Sequence, residues 1–250
     1  MSKPVMRFVQ MSTEISVPRP SSTVVLVRRS AAAPEVLMVK RDPRSSFGDA
    51  YAFPGGVLED ADHRIHDQCA GVTSSDADRL LEVDTGGLDY FSAAVRELFE
   101  EAGVLLGETR CSRDELAQSR DALNEGSLRW DRFVEESGLV LRCDRLHYFS
   151  FWITPTGLPK RYSTRFFLAK LPEGQSAIHC GGELTNSCWM PAVGVLQAAR
   201  EGRMRVHLPT RKTLERIARF DSLEALLAWA TSCAEAGVAC HQPASVPAPD

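Results

Sequence analysis

Several features are scarce in this chain of 250 residues, and each scarcity removes a class of function. No apolar run approaches the roughly 20 residues that a membrane-spanning helix needs. Met1 to Gln10 carries charge and proline where a secretory signal would place an apolar segment. The seven cysteines, Cys69, Cys111, Cys143, Cys180, Cys188, Cys233 and Cys240, form an odd set with no C-x-x-C spacing. Neither a disulfide framework nor a zinc ribbon is therefore indicated, and reduced thiols are expected. Basic residues do not dominate: 29 Lys and Arg face 33 Asp and Glu, a net charge of −4. Nucleic acids and anionic membranes usually demand a basic face, so neither is an expected partner. No G-x-x-x-x-G-K-[ST] run occurs, which removes P-loop phosphotransferases. Ala248-Pro249-Asp250 is not a peroxisomal address, and the expected location is cytoplasmic.

What is present is ordinary for a globular chain, 44% hydrophobic and 25% charged, enough for one large domain or two small ones. The most informative stretch is Phe91 to Val104. At helical spacing Phe91, Val95, Leu98, Phe99 and Ala102 form an apolar stripe, while Glu97, Glu100 and Glu101 gather on the other side. Three like charges on one turn repel, and hard oxygen ligands on one helical face suit Mg²⁺ or Mn²⁺. Arg96 reaches Glu100 at i+4, and Gly103 reads as a left-handed cap ending the helix. Upstream, Phe53-Pro54-Gly55-Gly56 follows a short strand and makes a tight turn whose backbone N–H groups can approach an anion.

The remaining elements follow from hydrophobic period and turn residues. Thr23–Arg28 and Glu35–Arg41 read as a hairpin, and Leu146–Thr154 and Tyr162–Ala169 as two strong strands. Their aromatics read first as core, with strand-end Tyr148, Trp152 and Phe166 as candidates for a pocket wall. Helices are expected over Arg113–Leu123, Leu128–Ser137, from Pro191 to Arg200, from Pro209, and from the Ser222 cap through Ala230. Residues 1–21 read as an irregular lead-in, 22–235 as one domain, and 236–250 as a frayed tail. Residues from about 60 to 89 carry Asp62, His63, His66, Asp67 and other charged side chains. They read as exposed loop with a short helix over Ser75–Leu81 before Gly86-Gly87 breaks it.

Arg96-Glu97-Leu98-Phe99-Glu100-Glu101-Ala102-Gly103-Val104, taken with Gly56, resembles the Nudix box, the loop-helix-loop signature of the Nudix hydrolases. In that signature a glycine, five residues, a glutamate and seven further residues precede the arginine. Here the segment of about 60–89 interrupts it, and the upstream glutamate has no clear counterpart: eight places before Arg96 stands Leu88, with Asp89 beside it. An interrupted box, together with Thr164-Arg165-Phe166-Phe167 and Trp189-Met190-Pro191, is similar to a branch that includes a peroxisomal coenzyme A diphosphatase. Arg41, Arg44, Gly48 and Phe53 keep the order of the signature that precedes the box in coenzyme A diphosphatases.

The resemblance implies an α/β fold, a Nudix α/β/α sandwich with a mixed sheet, a catalytic loop-helix-loop and an insertion in the box. It implies Mg²⁺ or Mn²⁺ on Glu97, Glu100, Glu101 and the backbone of Gly56, with Arg96 as the orienting ion pair. Glu97 and Glu183 are the two candidates for the base that activates water. Arg41, Arg44, Phe53, Gly55 and Gly56 are the substrate-side candidates, the arginines because guanidinium matches phosphate bidentately. The implied reaction splits coenzyme A or its acyl esters to 3′,5′-ADP and a phosphopantetheine. ADP-ribose, NADH or another nucleoside diphosphate derivative is the alternative substrate, and a catalytically silent Nudix-fold binding module the alternative of another class. A small molecule is the expected partner, and a homodimer is left open.

Overall fold

The computed structural model describes residues 16–42, 48–177 and 184–244. The chain opens with β1 (Arg19–Arg28) and β2 (Glu35–Arg41), paired antiparallel as a hairpin. Two short strands follow, β3 (Tyr51–Ala52) and β4 (Gly55–Val57). The insertion then supplies α1 (Asp60–His63), β5 (Cys69–Ala70) and α2 (Ser74–Leu81) before the long helix α3 (Gly87–Ala102). Next come β6 (Gly107–Glu108), α4 (Arg113–Asn124), α5 (Trp130–Ser137) and β7 (Val140–Arg142). β8 (His147–Ile153) and β9 (Tyr162–Lys170) form the second antiparallel pair. β10 (Leu184–Pro191), α6 (Ala192–Arg200), α7 (Leu208–Ile217), α8 (Leu223–Ala236) and β11 (Cys240–His241) complete the described order.

The main sheet runs β10-β2-β1-β9-β8-β11, with β3 on β2 and β4 on β1. It is mixed: β1 lies parallel to β9 from Arg19↔Tyr162 to Val27↔Lys170, and antiparallel to β2 and β4. Successive side chains of a strand point to opposite faces, and β1 uses both. Val24 and Leu26 face one core with Leu37, Val39 and Phe167, while Val25 and Val27 face another with Val36, Met38 and Leu168. The first core is closed by α3, through Phe91, Val95, Leu98 and Phe99, and the second by α6, α7 and α8, through Val195, Leu214 and Leu226. Helices on both faces of a mixed sheet make the expected α/β/α sandwich. Among the described residues no helix is long and apolar enough to cross a membrane.

Helix α3 is buried on nearly every side, because the sheet takes one flank and the insertion another. Phe91 meets Phe167 of β9 with ring centroids 4.9 Å apart, and Phe99 stacks on Phe133 of α5 at 5.4 Å. Gly103 ends the helix at φ 69°, the left-handed cap its position predicts.

The insertion departs most from expectation. Its charged composition suggests exposed loop, yet Ala61, Ile65, Ala77 and Leu81 are buried in the first core, and Asp62 is wholly buried. Helix α2 starts one residue earlier than expected and is capped by Thr73, whose Oγ1 accepts from the Asp76 N–H at 3.1 Å. Other boundaries shift as well. β1 begins at Arg19, inside the expected lead-in, because Arg19 to Ser22 pair with β9. Helix α5 starts at Trp130, and α8 runs on to Ala236. Cys240 and His241, assigned to the tail, add a parallel strand to β8.

Gly87 shows how tightly the insertion is held: a Cβ there would lie 2.5 Å from the backbone of Ala77 and Asp78 in α2. Relief requires moving backbone, so Gly87→Ala is expected to destabilise the fold by about 1–3 kcal/mol in urea unfolding. An unchanged midpoint would mean that α2 does not pack on α3 as described.

Candidate active site

Three elements meet at the floor of a cleft of about 1480 Å³: the β3–β4 turn, the carboxylate face of α3, and the start of the insertion. The turn is crowded at both glycines, by backbone at Gly55 and by the Glu97 carboxylate at Gly56. A Cβ on Gly55 would fall 2.3 Å from the Ser22 carbonyl oxygen, and one on Gly56 would fall 2.2 Å from Glu97 Oε1. With no side chain in the way, the Gly55 N–H donates to Glu101 Oε2 at 2.9 Å. Arg41 closes the turn from outside, its Nη2 donating to the Gly55 carbonyl at 2.7 Å.

Arg96, 2% exposed, is the hub of the floor. Its Nε and Nη2 donate to the two carboxylate oxygens of Asp62 at 3.2 and 3.1 Å, a bidentate pair. Nη2 also donates to the Val57 carbonyl at 2.8 Å. Nη1 donates to Glu97 Oε1 at 2.8 Å and to Glu100 Oε2 at 3.2 Å, the second being the i+4 contact expected from spacing. Asp62 is itself fully satisfied: Ser92 Oγ donates to Oδ1 at 2.8 Å and the Glu59 N–H to Oδ2 at 2.9 Å. Trp130 Nε1 in turn donates to Ser92 Oγ at 3.1 Å, tying α5 into the network. At the far end of α3, Arg120 donates to the Glu100 and Glu101 carbonyls, both at 3.0 Å, occupying helix-end acceptors that have no intrahelical partner.

Burial sets the protonation of this face. Loss of solvent pushes the Glu97 carboxyl up from its ordinary value, with Arg96 pulling the other way. Glu100 is pushed up to about 8, mainly by burial and further by Glu97 and Glu59, against the pull of Arg96. Arg96 stays charged because Glu97, Asp62 and Glu100 outweigh the burial that disfavours its charge. An excess of buried carboxylate oxygen over positive charge is a donor set for a hard divalent cation.

The sequence candidates fall into three groups. Arg96, Glu97, Glu100, Glu101, Gly55, Gly56 and Arg41 all line the cleft. Phe53 does not: it is buried in the second core, where it supports the turn from beneath. Arg44 and Glu183 lie outside the described residues. Of the aromatic candidates, Trp152 and Phe166 line the cleft with Tyr162, whereas Tyr148 is packed in the first core. Residues that sequence reading passed over also line it: His207 at the start of α7, whose burial holds its pKa below the ordinary value, and Pro243 beyond β11.

Asp62 is the important omission. Counting back from Arg96 leads across the insertion to Leu88 and Asp89, and Asp89 bonds instead to His63 and His66. Counting forward from Gly56, five residues and then an acid gives Asp62. The acid at the glutamate position of the box therefore lies at the very start of the interrupting segment and still reaches the box arginine. Separately, His63, His66 and Asp89 each offer a ligand atom within 4.8 Å of the other two, a cluster that could hold a divalent ion.

A family model described as NUDT19 Nudix domain matches residues 69–217. The chain is 25% identical over 207 residues to putative nudix hydrolase 7 of Caenorhabditis elegans, covering 80% of this chain and 61% of that protein. It is 26% identical over 233 residues to the acyl-coenzyme A diphosphatase NUDT19 of Homo sapiens, covering 76% and 62%. The chain thus spans about three fifths of the length of these relatives. A solved NUDIX hydrolase from Alicyclobacillus acidocaldarius shares the fold at a TM-score of 0.68 and 24% identity, covering 85% of this chain and 96% of that one.

Two expectations follow. Asp62→Asn removes the charge that most completely matches the buried guanidinium, and should cost about 3 kcal/mol or more in denaturant unfolding; a loss below a few tenths would remove Arg96 from the centre of the network. For pH, a carboxyl whose folded pKa is near 8 rather than 4.5 binds a proton in the folded state that the unfolded state has released. Its contribution to stability is present below about 4.5 and is lost as pH rises toward 8. With a chelator present, the melting temperature should therefore fall between pH 5 and 8 more in the native chain than in Glu100→Gln. Parallel curves would show that burial of Glu100 does not act this way.

Proposed function

The chain belongs to the Nudix family, in its NUDT19 branch, and on that premise we propose that it is a divalent-metal-dependent diphosphatase whose preferred substrate is coenzyme A or an acyl-coenzyme A. The observation that carries the reading is the meeting of Glu97, Glu100 and Glu101 with the Gly55-Gly56 turn at the floor of the large cleft. Glu97, Glu100 and Glu101, with the backbone of Gly56, would hold Mg²⁺ or Mn²⁺. The fit rests on three hard carboxylates, two of them held above their ordinary pKa by burial, around a glycine whose Cβ would displace the Glu97 carboxylate. Such a cation supplies neutralisation of diphosphate charge and activation of water.

The protein's own groups have definite tasks in this scheme. Arg96 holds Glu97 and Glu100 through one nitrogen, so the two carboxylates are fixed relative to each other before substrate arrives. The Gly55 N–H does the same for Glu101. In this reading Glu97, once ionised, would accept a proton from a water on the cleft side, and Glu183 is the other candidate base. Arg41, at the cleft edge, presents positive charge to a diphosphate or 3′-phosphate while bracing the turn. The cleft exceeds the about 300–1,000 Å³ usual for small-molecule sites, which suits a long ligand with a nucleotide at one end. Trp152, Phe166 and Tyr162 give it an aromatic wall for an adenine ring or an apolar acyl-pantetheine arm. The human and Xenopus laevis relatives named acyl-coenzyme A diphosphatase support the same substrate class.

The test is product analysis by mass spectrometry with coenzyme A, ADP-ribose, NADH and a diadenosine polyphosphate, in Mg²⁺ or Mn²⁺. Coenzyme A should yield 3′,5′-ADP faster than the others yield AMP, and Glu101→Gln should lose at least about 100-fold in rate. Dominant AMP from ADP-ribose or NADH would replace the substrate, and no cleavage with either metal would leave a binding module.

A further inference from the structure

A second constellation lies outside the cleft, where the insertion touches the beginning of α3. His63 is the last residue of α1, His66 opens the short 3₁₀ turn that follows, and Asp89 is in the first turn of α3. His63 Nδ1 and His66 Nε2 both point at one oxygen, Asp89 Oδ1, at 3.3 and 2.5 Å. The two rings meet edge to face with centroids 5.0 Å apart. These atoms come from three separate elements, and the burial of Ala61 and Ile65 in the first core holds the two histidines against the helix.

We propose that His63, His66 and Asp89 form a transition-metal site, taking Zn²⁺ or a similar borderline divalent ion, distinct from the carboxylate site and independent of the proposed reaction. Ligand atoms around a tetrahedral Zn²⁺ at bonds of about 2.0–2.1 Å stand roughly 3.3–3.4 Å apart. The His63–Asp89 separation already has that value, and the His66–Asp89 separation needs to open by less than about 1 Å. Two imidazoles and one carboxylate, with water completing the shell, is a donor set for a borderline ion; Mg²⁺ prefers the all-oxygen set on α3. Access is open, since His63 is 70% exposed and a hollow lined by Pro20, Leu58, Glu59, Asp60, His63, Arg64 and Asp89 lies beside the ligands.

The site also has a mechanical consequence. His63 adjoins Asp62, and Asp89 lies on the same helix as Arg96, so an ion here fastens α1 to α3 beside the Asp62–Arg96 pair that already joins them. Occupancy should raise the melting temperature of the insertion and α3 together.

Co²⁺ serves as the probe, because tetrahedral Co²⁺ bound by nitrogen absorbs visible light far more strongly than octahedral Co²⁺ on carboxylates. The protein in excess Mg²⁺ should bind one Co²⁺ with tetrahedral-type bands, displaced by one Zn²⁺, with a rise in melting temperature. His63→Ala, at an exposed position that folding does not need, should weaken binding at least tenfold, and His63→Ala/His66→Ala should abolish the bands. Glu97→Gln/Glu101→Gln, folded by circular dichroism, should keep them. Absence of the bands in the native chain, their survival in the double histidine variant, or their loss in the folded carboxylate variant would each overturn the assignment.

Discussion

Arg96 is a guanidinium placed where water cannot reach it, and the rest of the site is arranged to make that tolerable. A buried charge costs several kcal/mol even after relaxation, so every direction in which it donates has to meet an acceptor. Asp62 takes two contacts, the Val57 carbonyl one, and Glu97 and Glu100 one each. Those acceptors come from the insertion, from β4 and from α3, so the same ion fixes three elements relative to one another. A well-packed apolar replacement would serve stability as well or better. It would not set two carboxylates side by side at the floor of the cleft.

The same geometry explains why the carboxylate face is poised. Asp62, Glu97 and Glu100 share one guanidinium, and Asp62 takes its most complete pairing. Glu97 and Glu100 share what is left, and burial pushes both toward the protonated form. The fold therefore carries an uncompensated demand for positive charge at one spot, held by hydrogen bonds that need no rearrangement to meet it.

Much of this was legible in the residues because the signals are local. The apolar stripe of α3, its glycine cap, the carboxylates opposite and the β1–β2 hairpin all follow from spacing within a few residues, as does the i+4 contact of Arg96 with Glu100. Asp62 was hidden because an interruption separates it from its partner by 34 positions, and only a count forward from Gly56 finds it. The burial of the insertion was hidden too: its few apolar residues, Ala61, Ile65, Ala77 and Leu81, are thinly spread among charges, so no period emerges. Side-chain destinations lie beyond pattern altogether. Nothing in the spacing of Arg41 reveals that it bonds the Gly55 carbonyl, or that Tyr148 turns into the core while Trp152 faces the cleft.

The cleft wall is built from different elements than its floor. Trp152, Phe166 and Tyr162 sit on β8 and β9, His207 leads into α7, and Pro243 follows β11, whose His241 ring lies 4.9 Å from Trp152. The hydrogen bonds of Arg96 run instead to Asp62, Val57, Glu97 and Glu100, all from the earlier half of the chain. Wall and floor are thus carried by different stretches of the chain, so a substitution at Trp152, whose Nε1 donates to Ser150 Oγ, reshapes the cleft without touching any acceptor of Arg96.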